Sequence, residues 1–147
     1  MQLDAVTFKD PFLISRANDF FSIKVNLDLP ENELLSNLYN VTNIPQNIFV
    51  NSEGIEIDRI IGYYPPDIFL KKVNDILENK NTINDLENRI KNSPDDSELL
   101  FMLSNKYENV GEYNKAKNIY EKIININNNS LLKERATFYL AKLETYN

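Results

Sequence analysis

The 147-residue chain is 42% hydrophobic and 26% charged, the balance of a soluble globular protein with room for one ordinary domain or two small ones. A net charge of −6, with lysines interleaved among carboxylates, excludes the clustered basic face that a nucleic-acid partner needs. Without cysteine or histidine there is no disulfide, no thiol or imidazole nucleophile and no zinc site of ordinary ligand type.

Asp10-Pro11 starts a helix, with Asp as cap and Pro at the first helical position, and "PFLISRAND" follows. "FFSIKVNLD" alternates Phe21, Ile23 and Val25 with Ser22, Lys24 and Asn26, the pattern of a half-buried strand. "LPENELLSNLY" restarts a helix after Pro30, with Leu34, Leu35 and Leu38 on one face. After Pro45 comes the strand "NIFVN", a polar turn at Asn51–Gly54 and the strand "IEIDRIIG", an antiparallel hairpin. Pro65-Pro66-Asp67 opens the helix "DIFLKKVNDIL".

From about Thr82 the pattern is helical throughout, punctuated by Pro94, Gly111 and "NNNS". Two domains are therefore expected, residues 1–79 mixed α and β and residues 80–147 all α, divided at "ENKNT". Asparagine is over-used everywhere, so "NINNNS" is a loop rather than a low-complexity tract. The carboxylates Glu31/Glu33 and Asp95/Asp96 fall on solvated helix faces, and no pair suggests acid/base work. No cofactor, metal or catalytic residue is expected. No apolar run reaches the ~20 residues of a membrane span. "MQLDAVTF" lacks the basic segment and apolar core of a signal peptide, and cytoplasm and periplasm both stay open.

The second domain resembles a tetratricopeptide repeat of roughly 34 residues. Leu100, Leu103, Ser104 and Tyr107 fit the first helix of that pattern; Ala116, Tyr120 and Ile123 fit the second, and Gly111-Glu112-Tyr113 the turn. Asn128 stands where the closing Pro is usual, and Pro94 closes the segment before. "INDLENRIKNSPDD" and "LLKERATFYLAKLE" supply half-repeats on either side; a plain αα-hairpin is the alternative. The resemblance implies a peptide-binding concave face with Glu98, Phe101, Asn105 and Glu108. Its two glutamates oppose an acidic-tail ligand, and the face has packing on a neighbour as an equal alternative to ligand binding.

The first domain resembles the back part of a thioredoxin-like domain. The match rests on "LYNVTNIP", Phe49, Gly54, Gly62 and the closing helix "IFLKKVNDIL". The implied fold class is α+β/α: a partial thioredoxin-like fold of three strands with flanking helices, followed by tetratricopeptide-like helical hairpins. The resemblance also implies a cis Ile44–Pro45 bond and recognition of an extended peptide near Ile44, Pro45, Gly62 and Tyr63. Thr7-Phe8-x-Asp10-Pro11 matches the segment just past the family's Cys-x-x-Cys, which would make Met1 an internal methionine.

Two functions follow as expectations. In one, the chain is a fragment or truncated form of a thioredoxin-like/tetratricopeptide protein with a thiol–disulfide exchange or redox-linked chaperone role, itself without redox activity. In the other it is a natural non-catalytic scaffold whose repeats and Pro45 loop bind protein or extended peptide. Without the strand between "FFSIKVNLD" and "NIFVN", the first domain is expected to form an incomplete sheet or to borrow strands from another copy, a homo-oligomer through unpaired strands.

Overall fold

The computed structural model describes residues 2–126 and 130–145. Met1 and Asn128, to which the sequence assigned roles above, lie outside the described residues. Two compact units divide between Glu78 and Asn79.

The first unit begins with a short helix not expected from the sequence, α1 (Gln2–Ala5), and a single 3₁₀ turn at Thr7–Lys9. Asp10 then starts α2 (Pro11–Arg16): its carboxylate accepts from the N–H groups of Phe12 and Leu13 at 3.0 and 3.1 Å. A 3₁₀ turn at Ala17–Asp19 ends that helical run. A third 3₁₀ turn at Pro30–Asn32 leads into α3 (Glu33–Leu38). The hairpin is β1 (Gln46–Val50) and β2 (Glu56–Ile61), and α4 (Pro66–Leu77) closes the unit, with Pro66 at its first turn.

Its core is Leu3, Leu13, Ile60, Phe69, Val73 and Ile76, with Phe20, Phe49, Tyr64 and Leu70 against it. The spacing of Phe69, Val73 and Ile76 puts them on one face of α4. Thr7 is fully buried and donates its hydroxyl to the Tyr64 carbonyl at 2.8 Å, tying the N-terminal turn to the segment before α4.

The three-strand sheet is corrected here. The sheet has two strands, β1 and β2, antiparallel, and residues 21–26 join neither. The partial thioredoxin-like fold is therefore not what this unit adopts among the described residues. The physical reason is that a strand exists only as a partner in a ladder, and among the described residues none pairs with 21–26. Period-two alternation is a condition for a half-buried strand and does not create its neighbour. The leucines of α3 show the same thing in helical form: Leu34 and Leu38 do share a face, yet they are 81% and 67% exposed.

A bulge interrupts the alternation of Ile55, Ile57 and, after Arg59, Ile60 or Ile61 that the string "IEIDRIIG" suggests for β2. Phe49 faces Asp58 and Val50 faces Glu56, so Ile57 is an extra residue on the longer strand. Ile55 and Ile57 point to solvent, while Asp58, Arg59 and Ile60 are buried. At the turn, the Asn51 side chain accepts from the Glu53 and Ile55 N–H groups at 3.0 and 2.9 Å, and Gly54 takes φ 79°.

The second unit is four helices: α5 (Ile83–Asn92), α6 (Ser97–Asn109), α7 (Tyr113–Ile126) and α8 (Ser130–Glu144). Thr82 caps α5 and Asp96 caps α6 through their side-chain oxygens. Gly111, at φ 81°, ends α6: its N–H reaches the Glu108 carbonyl at 3.1 Å and the Glu112 N–H reaches the Tyr107 carbonyl at 2.8 Å. That bond pair is the Schellman closure, which needs the left-handed backbone that glycine adopts freely. Consecutive helices pack on one another around Leu86, Leu100, Leu103, Tyr120, Ile123 and Leu132. Ala116 and Ala136 have no exposed surface, so a small side chain sits in the packed interior of α7 and of α8.

Candidate functional site

Four of the residues singled out in the sequence meet at one end of the hairpin. The Ile44–Pro45 peptide bond is cis. The Pro45 carbonyl accepts from the Gly62 N–H at 2.9 Å, which extends the β1–β2 pairing by one step and sets Ile44-Pro45 beside Gly62-Tyr63. Gly62 has φ 87°, and a Cβ built there would touch nothing within 4 Å, so backbone conformation and not space asks for glycine. Ile44 is 66% exposed and Tyr63 40%. An apolar side chain and an aromatic ring thus stand open at the end of a short sheet.

What holds this end in place is Arg59, which the sequence reading did not single out. Its side chain is 1% exposed. The guanidinium grips Glu56 with both ends of the carboxylate, Nε to Oε1 at 2.6 Å and Nη2 to Oε2 at 2.5 Å. It also donates to Gln46 Oε1 at 2.8 Å and to the Tyr39 carbonyl at 2.7 Å. One buried cation therefore fastens β2, the first residue of β1 and the end of the α3 segment together. Gln46 in turn donates to Asn43 Oδ1 at 3.0 Å, and the Tyr39 hydroxyl donates to the Gly54 carbonyl at 2.9 Å. The signal for Arg59 in the sequence was a charged residue inside an isoleucine-rich strand.

Phe101 and Asn105 lie in the second unit and carry no open surface of the kind expected. Phe101 is 4% exposed, packed at 5.8 Å from the Tyr120 ring and 5.7 Å from the Tyr139 ring. The Arg135 guanidinium, from α8, covers its face at 4.2 Å. Asn105 donates to the Phe101 carbonyl at 2.9 Å, and the Tyr120 hydroxyl lies 3.1 Å from its Oδ1. Glu108 is engaged as well, 2.5 Å from the Tyr120 hydroxyl and 3.4 Å from the Lys142 ammonium. Burial first, and the neighbouring Glu108 second, push the Tyr120 hydroxyl well above the ordinary tyrosine range. Tyr107 is pushed the same way by burial and by its hydrogen bond to Glu87. Those residues knit α5, α6, α7 and α8 together.

Among the described residues no group of three or more carboxylates is placed to hold a metal ion. No helix among them is long and apolar enough to cross a membrane. Compared with family models, with curated proteins and with solved structures, the chain finds no match, so both resemblances rest on the motifs quoted above.

Proposed function

We propose that the chain is a non-catalytic interaction scaffold that binds an extended segment of another polypeptide at the Ile44-Pro45 and Gly62-Tyr63 end of the hairpin. The observation that carries this reading is the exposure of Ile44, at 66%, on a stretch that Arg59 ties on either side, at the Tyr39 carbonyl and the Gln46 side chain. Large apolar side chains left open on a rigid support favour a partner over water. Leu34 and Leu38 lie on the segment that the Arg59–Tyr39 bond fastens, and they widen the apolar surface of the same unit. The thiol–disulfide role implied by the thioredoxin resemblance needs a cysteine thiolate, which this sequence does not contain.

Selection from a random peptide display library on the full chain tests the reading. Enriched peptides should compete for one site, lose binding to Ile44→Asp and Tyr63→Ala, and keep binding to Leu131→Ser on α8. A selection that enriches nothing, or peptides indifferent to Ile44→Asp, refutes it.

A further inference from the structure

Residues 20–26 form a segment held at both ends and bare in the middle. Phe20 is extended, with φ −151° and ψ 161°, and its ring packs edge-on against Phe49 at 5.9 Å. At the other end the Asn26 carbonyl accepts from Leu29 N–H at 3.4 Å and from Asn32 Nδ2 at 2.8 Å. Between them, among the described residues, the backbone of 21–25 makes no hydrogen bond. Phe21 is 103% exposed, Ile23 85% and Val25 39%. The side-chain tether of this stretch is the exposed Lys24–Asp4 ion pair at 2.8 Å. A run of unmatched donors and acceptors with alternating apolar side chains is a template for another strand.

We propose that this segment pairs antiparallel with the same segment of a second copy, centred on Ile23. The choice of a second copy comes from the register. With Ile23 on the two-fold axis, Ile23 meets its own counterpart, Phe21 meets Val25 twice, and Ser22 meets Lys24 twice. Every apolar residue of 21–25 then faces an apolar one, and no like charges are directly opposed. Moving the centre to Lys24 sets two ammonium groups against each other; moving it to Ser22 sets Asp19 against Val25. The segment 20–26 contains no carboxylate, so the chain's charge of −6 is not concentrated where the copies meet. A two-stranded ribbon is marginal alone, so dissociation on the order of micromolar or weaker is expected. The pairing goes beyond the scaffold function above and uses neither Ile44 nor Tyr63.

Sedimentation velocity over a hundredfold range of concentration should show a monomer–dimer equilibrium in the full chain, abolished by Ile23→Lys and unchanged by Ile44→Asp. Because the chain has no cysteine, Ile23→Cys places a single thiol on the axis. Mild oxidation should turn that variant into a covalent dimer at least tenfold faster than Ser22→Cys, whose thiol would face Lys24, or Glu121→Cys on α7. A monomer at every concentration overturns the proposal. So does a dimer that survives Ile23→Lys, or equal cross-linking from the three cysteine positions. Loss of the dimer with peptide binding intact separates failure here from failure of the scaffold function.

Discussion

Replacing Arg59 by methionine keeps much of the side-chain length and removes the charge and four hydrogen bonds, two to Glu56, one to Gln46 and one to the Tyr39 carbonyl. The Glu56 side chain is 16% exposed, so its carboxylate is left largely desolvated and without its partner. Breaking one side of such a pair costs about 3–5 kcal/mol. The first unit has a small core, and small domains bury a low fraction of their surface. Against a total stability of about 5–15 kcal/mol for ordinary domains, the loss takes most of the margin of this unit. With a urea slope of about 1 kcal/mol/M, its unfolding midpoint should fall by about 3 M or leave no folded baseline.

Hydrogen exchange during a urea titration separates the units, with peptides over 46–61 reporting the first and peptides over 113–126 the second. Arg59→Met should move the former and leave the latter in place. Adding Glu56→Leu should restore part of the loss, because an apolar pair of similar volume removes the stranded charge. The exposed Arg89, paired with Asp85 at 3.3 Å, is the control, and its replacement should change stability by less than about 1 kcal/mol. If Arg59→Met unfolds within about 1 kcal/mol of the parent, the clamp does not hold the site and the rigidity argued for Ile44 fails with it.

Two further outcomes concern the helical unit. Burial and Glu108 raise the folded-state pKa of Tyr120 above its unfolded value, so the stabilisation is complete below about pH 10 and is lost as pH rises beyond it; a thermal midpoint that falls between pH 9 and 11 in the parent and falls less in Tyr120→Phe verifies the sign, and equal falls refute it. Ala116→Leu forces three extra carbons into a site with no exposed surface, so the second unit should lose about 1–3 kcal/mol in chemical denaturation, against nearly nothing for Ala141→Leu on the exposed side of α8.

The elements legible in the sequence are those whose signals are local. Asp10 marked a helix start and Gly111 a helix end; Asp96, read as part of a solvated helix face, instead caps α6, and Thr82 caps α5, each acting within one turn through its own side-chain oxygen or its own left-handed φ. Asn51 and Gly54 marked the hairpin for the same reason. The failures were non-local. The alternation at Phe21, Ile23 and Val25 says which faces a strand would have and nothing about whether a neighbour is present. The burial of Asp58 and Arg59 depends on a bulge, and that of Arg59 on partners 13 and 20 residues away, so the charges inside "IEIDRIIG" are visible in the sequence while their burial is not. At the candidate site, the grouping of Ile44-Pro45 with Gly62-Tyr63 came from the family resemblance; the turn alone would pair Pro45 with Ile61, and the bulge at Ile57 moves its partner to Gly62. Phe101 shows the packed alternative for its face, and the residue that covers it, Arg135, comes from a helix two elements later, beyond the reach of any local signal.

The two units use their apolar residues differently, and that difference is the strongest pointer to function. In the second, the aromatic rings of Phe101, Tyr120 and Tyr139 pack on one another and the Tyr120 hydroxyl is engaged by Asn105 and Glu108. In the first, one stretch from Phe21 to Ile44 carries Phe21, Ile23, Leu34, Leu38 and Ile44 at exposures from 66% to 103%. Burying such side chains fully is worth about 1.5–3 kcal/mol each, and this conformation leaves nearly all of that unrealised. The same stretch is nonetheless anchored, by Phe20 on Phe49, Lys24 on Asp4 and Tyr39 on Arg59 and Gly54, so its exposure does not come from a chain end hanging loose. Hydrophobic surface kept open on an anchored frame lowers its free energy by acquiring a cover, which is what the peptide partner and the second copy proposed above would each supply.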